Sequence, residues 1–199
     1  MPLLNTLLNR YSIPLLIGII VLILMLIPAI KPSLIYDRGL IESGEFWRLV
    51  TANLLHTNWI HLLLNVGGMG LIWLIFWDVT NKKWQLTFIA LPILLNTILL
   101  FFFSPDLERY VGLSGALHGT IIAFGLADFA TNKLTSIGLF IGVSIKLGWE
   151  QVYGSSASVE KLISASVAID AHLWGAVAGV VTGILYLLME KRSQITSEN

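Results

Sequence analysis

The sequence has no cysteine and few charged residues, and both absences restrict its class. Only 12% of its 199 residues are charged and the formal net charge is +0, whereas a soluble domain carries about 25% charged residues. Without cysteine, the chain has neither a disulfide framework nor a thiolate metal site. Without an excess of basic residues, it lacks the surface that binds nucleic acid.

Long apolar segments make up most of the chain. Hydrophobic residues account for 56% of it, and the mean hydropathy is +0.81. A helix needs about 20 mostly apolar residues to cross a bilayer. The candidate spans are about 13–30, 59–77, 84–103, 111–127, 134–147 and 166–189. The sequence therefore predicts an all-α polytopic membrane protein, a single domain over residues 1–199 with six transmembrane helices, the first of them retained rather than cleaved as a signal peptide.

Lysine and arginine in the loops predict the orientation of the chain. If the spans alternate, the side that holds both termini has six basic residues and the opposite side has five. Basic residues favour the cytoplasmic side. We therefore expect both termini in the cytoplasm and the long loops 31–55 and 148–165 outside.

Polar residues are concentrated in the second, fourth and sixth spans. These spans hold His61, Asn65, Ser114, His118 and His172, together with most of the glycines. Polar groups at membrane depth are costly and by default mark a functional interior. We therefore expect the three spans to surround a site.

Ser114 lies between small residues in Gly112-Leu113-Ser114-Gly115, at the start of the fourth span. The free N–H groups of a first helical turn are suited to stabilising an oxyanion. The same pattern also fits small residues at a helix–helix contact. On its own, this segment leaves both interpretations open.

A histidine is needed to activate a serine hydroxyl, and His172 is a candidate. Glycines at spacings of four follow both residues: Gly175, Gly179 and Gly183 after His172, and Gly115 and Gly119 after Ser114. Such stripes let helices approach closely. Docking the two stripes would bring His172 towards Ser114.

His61 and Asn65 are four residues apart and so share one helix face. Both side chains can donate hydrogen bonds, as a tetrahedral oxyanion requires. A mutually satisfied polar pair between helices is the alternative explanation.

Together these motifs resemble the rhomboid family of intramembrane serine proteases. The matching elements, in the family's order, are Glu45-x-Trp47-Arg48, the series His56, His61 and Asn65, Gly112-x-Ser114-Gly115, and Ala171-His172-x-x-Gly175. The resemblance covers all six spans and implies a rhomboid-like bundle.

The resemblance also implies a role for each matching residue. Ser114 is the nucleophile, and His172 is the general base and then acid of a dyad without an aspartate. His61, Asn65 and the Ser114 N–H form the oxyanion hole, and His56 supports them at the top of the second span. Arg48 braces the first loop. The remaining structural positions are glycines: Gly112, Gly115, Gly175 and Gly179. No cofactor or metal is expected.

His118 departs from the family pattern. A rhomboid typically has tyrosine at this position, where its ring stacks on the catalytic histidine. Four residues from Ser114, His118 is also a rival base. The sequence leaves three roles open for it: orienting His172, helping to hold a second nucleophile, or replacing His172 as the base.

His118, together with Lys146-x-x-Trp149-Glu150-Gln151, resembles the rhombosortase branch. That resemblance implies a protease of the bacterial inner membrane with its active site facing the periplasm. Its substrates would be exported proteins with a C-terminal Gly-Gly-type tail and one transmembrane stretch, and water or a small amine would accept the acyl group. Lys146 and Glu150 are expected either to form a local ion pair or to contact a membrane lipid head group.

Three alternatives compete with this prediction. A general rhomboid protease would use the same chemistry with less selective substrates. An inactive relative that binds transmembrane helices would usually lack the serine or histidine, and both are present. A small transporter would show inverted repeats and broken helices, which the sequence lacks.

Overall fold

The protein is an all-α bundle in the computed structural model, which describes residue 6 and residues 8–198. The helices are α1 Ser12–Leu26, α2 Lys31–Leu34, α3 Arg38–Glu42, α4 Arg48–Thr51, α5 Trp59–Phe76, α6 Lys82–Phe103, α7 Ser114–Asp128, α8 Lys133–Tyr153, α9 Ala157–Ile163 and α10 Ile169–Glu198. Two short strands, β1 Tyr36–Asp37 and β2 Arg109–Tyr110, pair antiparallel. This confirms the all-α class predicted from the sequence.

Three helices in the described part of the chain are long and apolar enough to cross a membrane: α5, α6 and Ile169–Ser193 of α10. The count rises to four if α1 and the segment Pro28–Leu34 form one span, bent by 88°. The bend follows from Pro28, because the residue before a proline avoids the helical conformation. Ile27 accordingly has φ −117° and ψ 70°.

Several predicted span limits differ from the observed helix ends. The segment 13–30 is helical only to Leu26 before it bends, and the segment predicted to start at 111 becomes helical at Ser114. The segment 134–147 belongs to a 21-residue helix that continues to Tyr153, and the last helix begins at Ile169 rather than 166. Hydropathy alone does not register the bend at Pro28, the strand that precedes α7 or the polar last turns of α8.

Asparagine side chains fix the starts of α5 and α6. Asn58 accepts a hydrogen bond from the His61 N–H at 2.9 Å, and Asn81 accepts one from the Trp84 N–H at 3.1 Å. An asparagine at this position satisfies one of the free amides of the first turn. The cap at Asn58 places His61 in the first turn of α5, at one end of the bundle.

The centre of the fold is α10, which packs against α7 and α6. Glycines line the contact with α7, where a Cβ on Gly119 would lie 2.5 Å from the Gly175 carbonyl oxygen. Towards the other end of α7, Phe124 packs against the rings of Trp73, Phe76 and Phe88. Aromatic side chains therefore pack one half of the bundle, and close contact between the backbones of α7 and α10 holds the other half together.

Arg48 braces the segment that precedes α5. Its guanidinium is buried and bonds to Glu45, with the closest nitrogen 2.6 Å from the carboxylate. The same group donates to the carbonyls of Pro32 at 2.9 Å and Ile35 at 2.8 Å. A buried arginine is tolerated because its donors are paired in this way.

Arg38 closes the far end of α6, a role that the sequence analysis did not assign. Its guanidinium donates to four carbonyls, those of Leu100, Phe101, Ser104 and Leu107. The last carbonyls of a helix lack intrahelical partners. Arg38 satisfies two of them, at Leu100 and Phe101, and its bonds to Ser104 and Leu107 hold the loop after α6 in place.

Candidate active site

Ser114 and His172 meet at one end of the bundle. The Ser114 Oγ lies 3.0 Å from the His172 Nε2, which is hydrogen-bond distance for a nucleophile and its base. Ser114 is the first residue of α7, and His172 lies in the first turn of α10. The two residues are 58 positions apart in the chain, so helix packing brings them together.

Close backbone contact makes this approach possible. A Cβ on Gly115 would lie 2.7 Å from the Ala171 carbonyl oxygen, and a Cβ on Gly175 would overlap the Gly115 carbonyl group. Any larger residue would separate α7 from α10. The glycines beside Ser114 and His172 therefore set the distance between these two residues.

The first turn of α10 is also tied to the end of α6. The Ser104 hydroxyl donates to the Asp170 carboxylate at 2.7 Å and accepts from the Trp174 indole N–H at 3.1 Å. These bonds flank His172 on its own helix. They restrict rotation of α10 and hence the direction in which the His172 ring points.

His118 lies against His172 as a stacked ring. The two ring centroids are 4.3 Å apart with an angle of 24° between the planes. Its Nδ1 is 2.8 Å from the Ser114 carbonyl oxygen, and since a carbonyl only accepts, Nδ1 is the donor. This geometry favours the orienting role for His118 over that of a rival base.

His61 and Asn65 face the same cavity as Ser114. The Nε2 and Cε1 of His61 lie against Gly112, where a Cβ would be 3.0 and 2.9 Å from them. Gly112 has φ +134°, a conformation that favours glycine. The Asn65 amide donates one hydrogen to the His61 carbonyl at 3.0 Å and has a second to offer.

His56 supports His61 from outside the main cavity. The ring centroids are 5.1 Å apart in an edge-to-face contact, and the His56 carbonyl accepts from Lys31 Nζ at 2.9 Å. Neither ring nitrogen of His56 has a hydrogen-bond partner among the described residues. Burial, reinforced by His61 and Lys31, lowers the pKa of His56 to about 3, so this ring is neutral at pH 7.

Glu150 is a site residue whose position the sequence analysis missed. Its Oε2 lies 2.8 Å from the His172 Nδ1, and its Oε1 lies 2.7 Å from the Lys146 Nζ. The expected local ion pair with Lys146 is present, but the carboxylate also reaches the histidine beside Ser114. An acidic residue near the end of a membrane helix is the signal in the sequence by which this position could have been found.

The site opens into a cavity of about 1010 Å³ between α5 and α8. The polar end holds Ser114, His172, His61 and Glu150. Apolar side chains from the two helices line the remainder, among them Leu64, Leu71, Ile75, Val143, Ile145 and Trp149. The cavity therefore combines an apolar wall with a cluster of polar groups at one end.

Residues of the segment 154–168 line the cavity. Thr57 donates to the Ile163 carbonyl at 2.6 Å, and the Asn58 amide donates to the Leu162 carbonyl at 2.9 Å. These bonds attach the segment to the start of α5. The bonds from Thr57 and Asn58 thus hold this segment beside the start of α5, where His61 lies.

This arrangement is suited to nucleophilic chemistry by a serine. The hydroxyl has a base on one side, and the free amides of the first turn of α7 and two side-chain donors lie near it. Across the described part of the chain, no cluster of three or more histidine and acidic side chains is placed to hold a metal ion. The nearest acidic group, Glu150, instead contacts the base.

Comparison with known protein families matches the rhomboid domain to residues 43–189, a range that contains Ser114, His172, His118, His61, Asn65 and Glu150. No curated protein matches the chain.

Proposed function

The chain belongs to the rhomboid family, whose members are intramembrane serine proteases, and we propose that it is an intramembrane serine endopeptidase. The observation that carries this proposal is the 3.0 Å contact between the Ser114 hydroxyl and the His172 imidazole. The contact opens onto a mainly apolar cavity of about 1010 Å³.

In the proposed mechanism, the Ser114 Oγ attacks the scissile carbonyl while its proton moves to the His172 Nε2. The tetrahedral intermediate collapses, the C–N bond breaks, and His172 returns the proton to the leaving amine. The acyl group is then bonded to Ser114. Attack by water or by a small amine, with His172 again acting as the base, releases it.

The proposed oxyanion hole consists of the Ser114 N–H, His61 and Asn65. The Ser114 amide is free because it opens α7. In the tautomer in which His61 Nδ1 accepts from the Thr57 amide, at 3.4 Å, the Nε2–H is directed to the Gly112 side of the cavity. Each such donor contributes about 10²–10³ in rate.

We further propose six transmembrane segments, with both termini in the cytoplasm and the site near the periplasmic surface of a bacterial inner membrane. Peptide hydrolysis needs water, which is available near that surface. Support comes from the small excess of basic residues on the side of the termini. A transmembrane substrate would approach sideways past α8, the fifth of the six segments.

The proposed substrates are exported proteins with a C-terminal Gly-Gly-type sorting tail, as in the rhombosortase branch that the sequence resembles. The amides of a membrane helix are hydrogen-bonded internally, so a scissile bond must first leave the helix. Glycines lower the cost of that unwinding. Cleavage near them would release the protein from its anchor.

A fluorescent fluorophosphonate tests the nucleophile and base in detergent-purified protein without any assumption about the substrate. We expect labelling of the wild type and its loss in both Ser114→Ala and His172→Ala. Ser166→Ala is the matched control, because Ser166 lines the same cavity without a contact to His172. A folded wild type without labelling would support the inactive, helix-binding relative instead.

A tailed protein and its Ala-Ala variant test the substrate class. We expect cleavage of the Gly-Gly tail, and mass spectrometry of the product distinguishes hydrolysis from transfer to an amine. Equal turnover of the two tails would support a general rhomboid protease. Ser114→Ala, incubated with both tails, controls for contaminating proteases.

A further inference from the structure

The His172 ring has contacts at both nitrogens, and the Nδ1 contact comes from a different helix. The Glu150 Oε2 is 2.8 Å from Nδ1, while the Lys146 Nζ is 3.3 Å from the same atom. The side chains of His172 and Glu150 are 8% and 13% exposed. Water therefore screens this pair little.

The two Nδ1 contacts require opposite protonation states. Nδ1 either carries a hydrogen and donates to Glu150, or has a lone pair and accepts from Lys146. A bare nitrogen 2.8 Å from a carboxylate oxygen would be repelled by it. The shorter contact therefore selects the Nδ1–H tautomer, and Lys146 donates to the other carboxylate oxygen, Oε1, at 2.7 Å.

The Nδ1–H tautomer is also the reactive one. It leaves the Nε2 lone pair directed at the Ser114 hydroxyl, 3.0 Å away. Without the carboxylate, the Lys146 ammonium would favour the opposite tautomer by donating to Nδ1. Nε2 would then carry a hydrogen and could not accept the Ser114 proton.

We propose that Glu150 is a positioning residue that turns the pair into a Ser114–His172–Glu150 triad, an inference that rests on the function proposed above. The Ser114 proton moves to Nε2, and the Nδ1 proton stays on His172 throughout. The carboxylate stabilises the imidazolium until the proton passes to the leaving amine. Glu150 itself is never protonated in the cycle.

This third member belongs to the helix that borders the cavity. Within α8, only Ser136 and Leu147 are buried, so most of the helix surface faces away from the rest of the bundle. Glu150 therefore links the base on α10 to the wall of the cavity, and the triad is complete only while α8 is docked.

The rate of fluorophosphonate labelling of the purified full-length protein tests the proposal. Glu150→Gln should slow labelling by about 10²- to 10⁴-fold, because the amide can donate to Nδ1 and select the wrong tautomer. Glu150→Asp should recover part of the rate. Lys146→Met should slow labelling less than Glu150→Gln, since it removes the competing donor and keeps the carboxylate. Glu42→Gln, an exposed carboxylate on α3, controls for the loss of one charge.

The ¹⁵N-histidine spectrum of the wild type gives a second test, which reads the tautomer of His172 directly and not through a labelling rate. The His172 signals, assigned with His172→Ala, should show the Nδ1–H tautomer, and Glu150→Gln should reverse it. An Nε2–H tautomer in the wild type would overturn the proposal. So would equal labelling of Glu150→Gln and wild type, or equal slowing in Lys146→Met and Glu150→Gln. Absence of wild-type labelling would instead count against the proposed function.

Discussion

The backbone of Gly175 rests directly on the backbone of Gly115, so that a methyl group on Gly175 would overlap the Gly115 carbonyl. The contact joins α10 to α7 three residues after His172 and one residue after Ser114. Side-chain volume at this point would therefore change the separation of the two proposed catalytic groups, as well as the packing of the bundle.

Gly175→Ala should destabilise the protein by about 1–3 kcal/mol or more, the usual cost of overpacking, and should reduce fluorophosphonate labelling. Thermal unfolding in detergent measures the first effect. Gly138→Ala is the matched control, because it lies in helix α8 with nothing within 4 Å of a new Cβ. Equal unfolding temperatures for both variants would contradict the close helix contact.

Gly112→Ala should slow labelling of Ser114 by about 10²–10³, the typical effect of losing one oxyanion donor. The new Cβ would lie 2.9 Å from the His61 ring and push it aside. Gly44→Ala separates this effect from backbone strain, since Gly44 has φ +108° and nothing within 4 Å of a new Cβ. Equal slowing of Ser114 labelling in Gly112→Ala and Gly44→Ala would show that backbone strain alone is responsible.

His118→Phe and His118→Ala should both still be labelled, with His118→Phe the faster. The phenyl ring keeps the stacking contact with His172 and loses only the bond to the Ser114 carbonyl, whereas alanine loses both. Labelling rates of the two variants, beside His172→Ala, give the comparison. Labelling that disappears in His118→Phe but persists in His172→Ala would identify His118 as the base.

His56→Phe should make the protein less sensitive to acid. Burial lowers the pKa of His56 from 6.5 to about 3, so between these values the unfolded chain binds a proton that the folded protein excludes. This residue therefore costs no stability above pH 6.5 and progressively more as the pH falls towards 3. The phenylalanine keeps the ring contact with His61 and cannot titrate.

Unfolding temperatures of His56→Phe and the wild type, measured from pH 7.5 to pH 4, test this expectation. The two proteins should differ little at pH 7.5, and the difference should grow in favour of His56→Phe below pH 6.5. Parallel curves over the whole range would contradict the burial of a neutral imidazole.

Helix positions were predictable to a large degree because membrane helices are a local property of the chain. Apolar length and the absence of charge located α5 and α6 almost to the residue. The predicted span 134–147 is shorter than α8, which continues to Tyr153, because the last turns of this helix carry Lys146 and Glu150. Polar residues that face a cavity inside the protein lower the local hydropathy, just as the end of a membrane span does.

The approach of Ser114 and His172 was also predictable, because glycine spacing is visible in the sequence and determines which helix faces can touch. The sequence by itself determined that this is a membrane-embedded helical protein, and it supplied the motifs of its family. Only the tertiary structure decided that Glu150 contacts His172 and that His118 stacks on it. The physical reason is that contacts between helices depend on how each helix is rotated and crossed against its neighbours, whereas local spacing shows only which residues share a face of one helix.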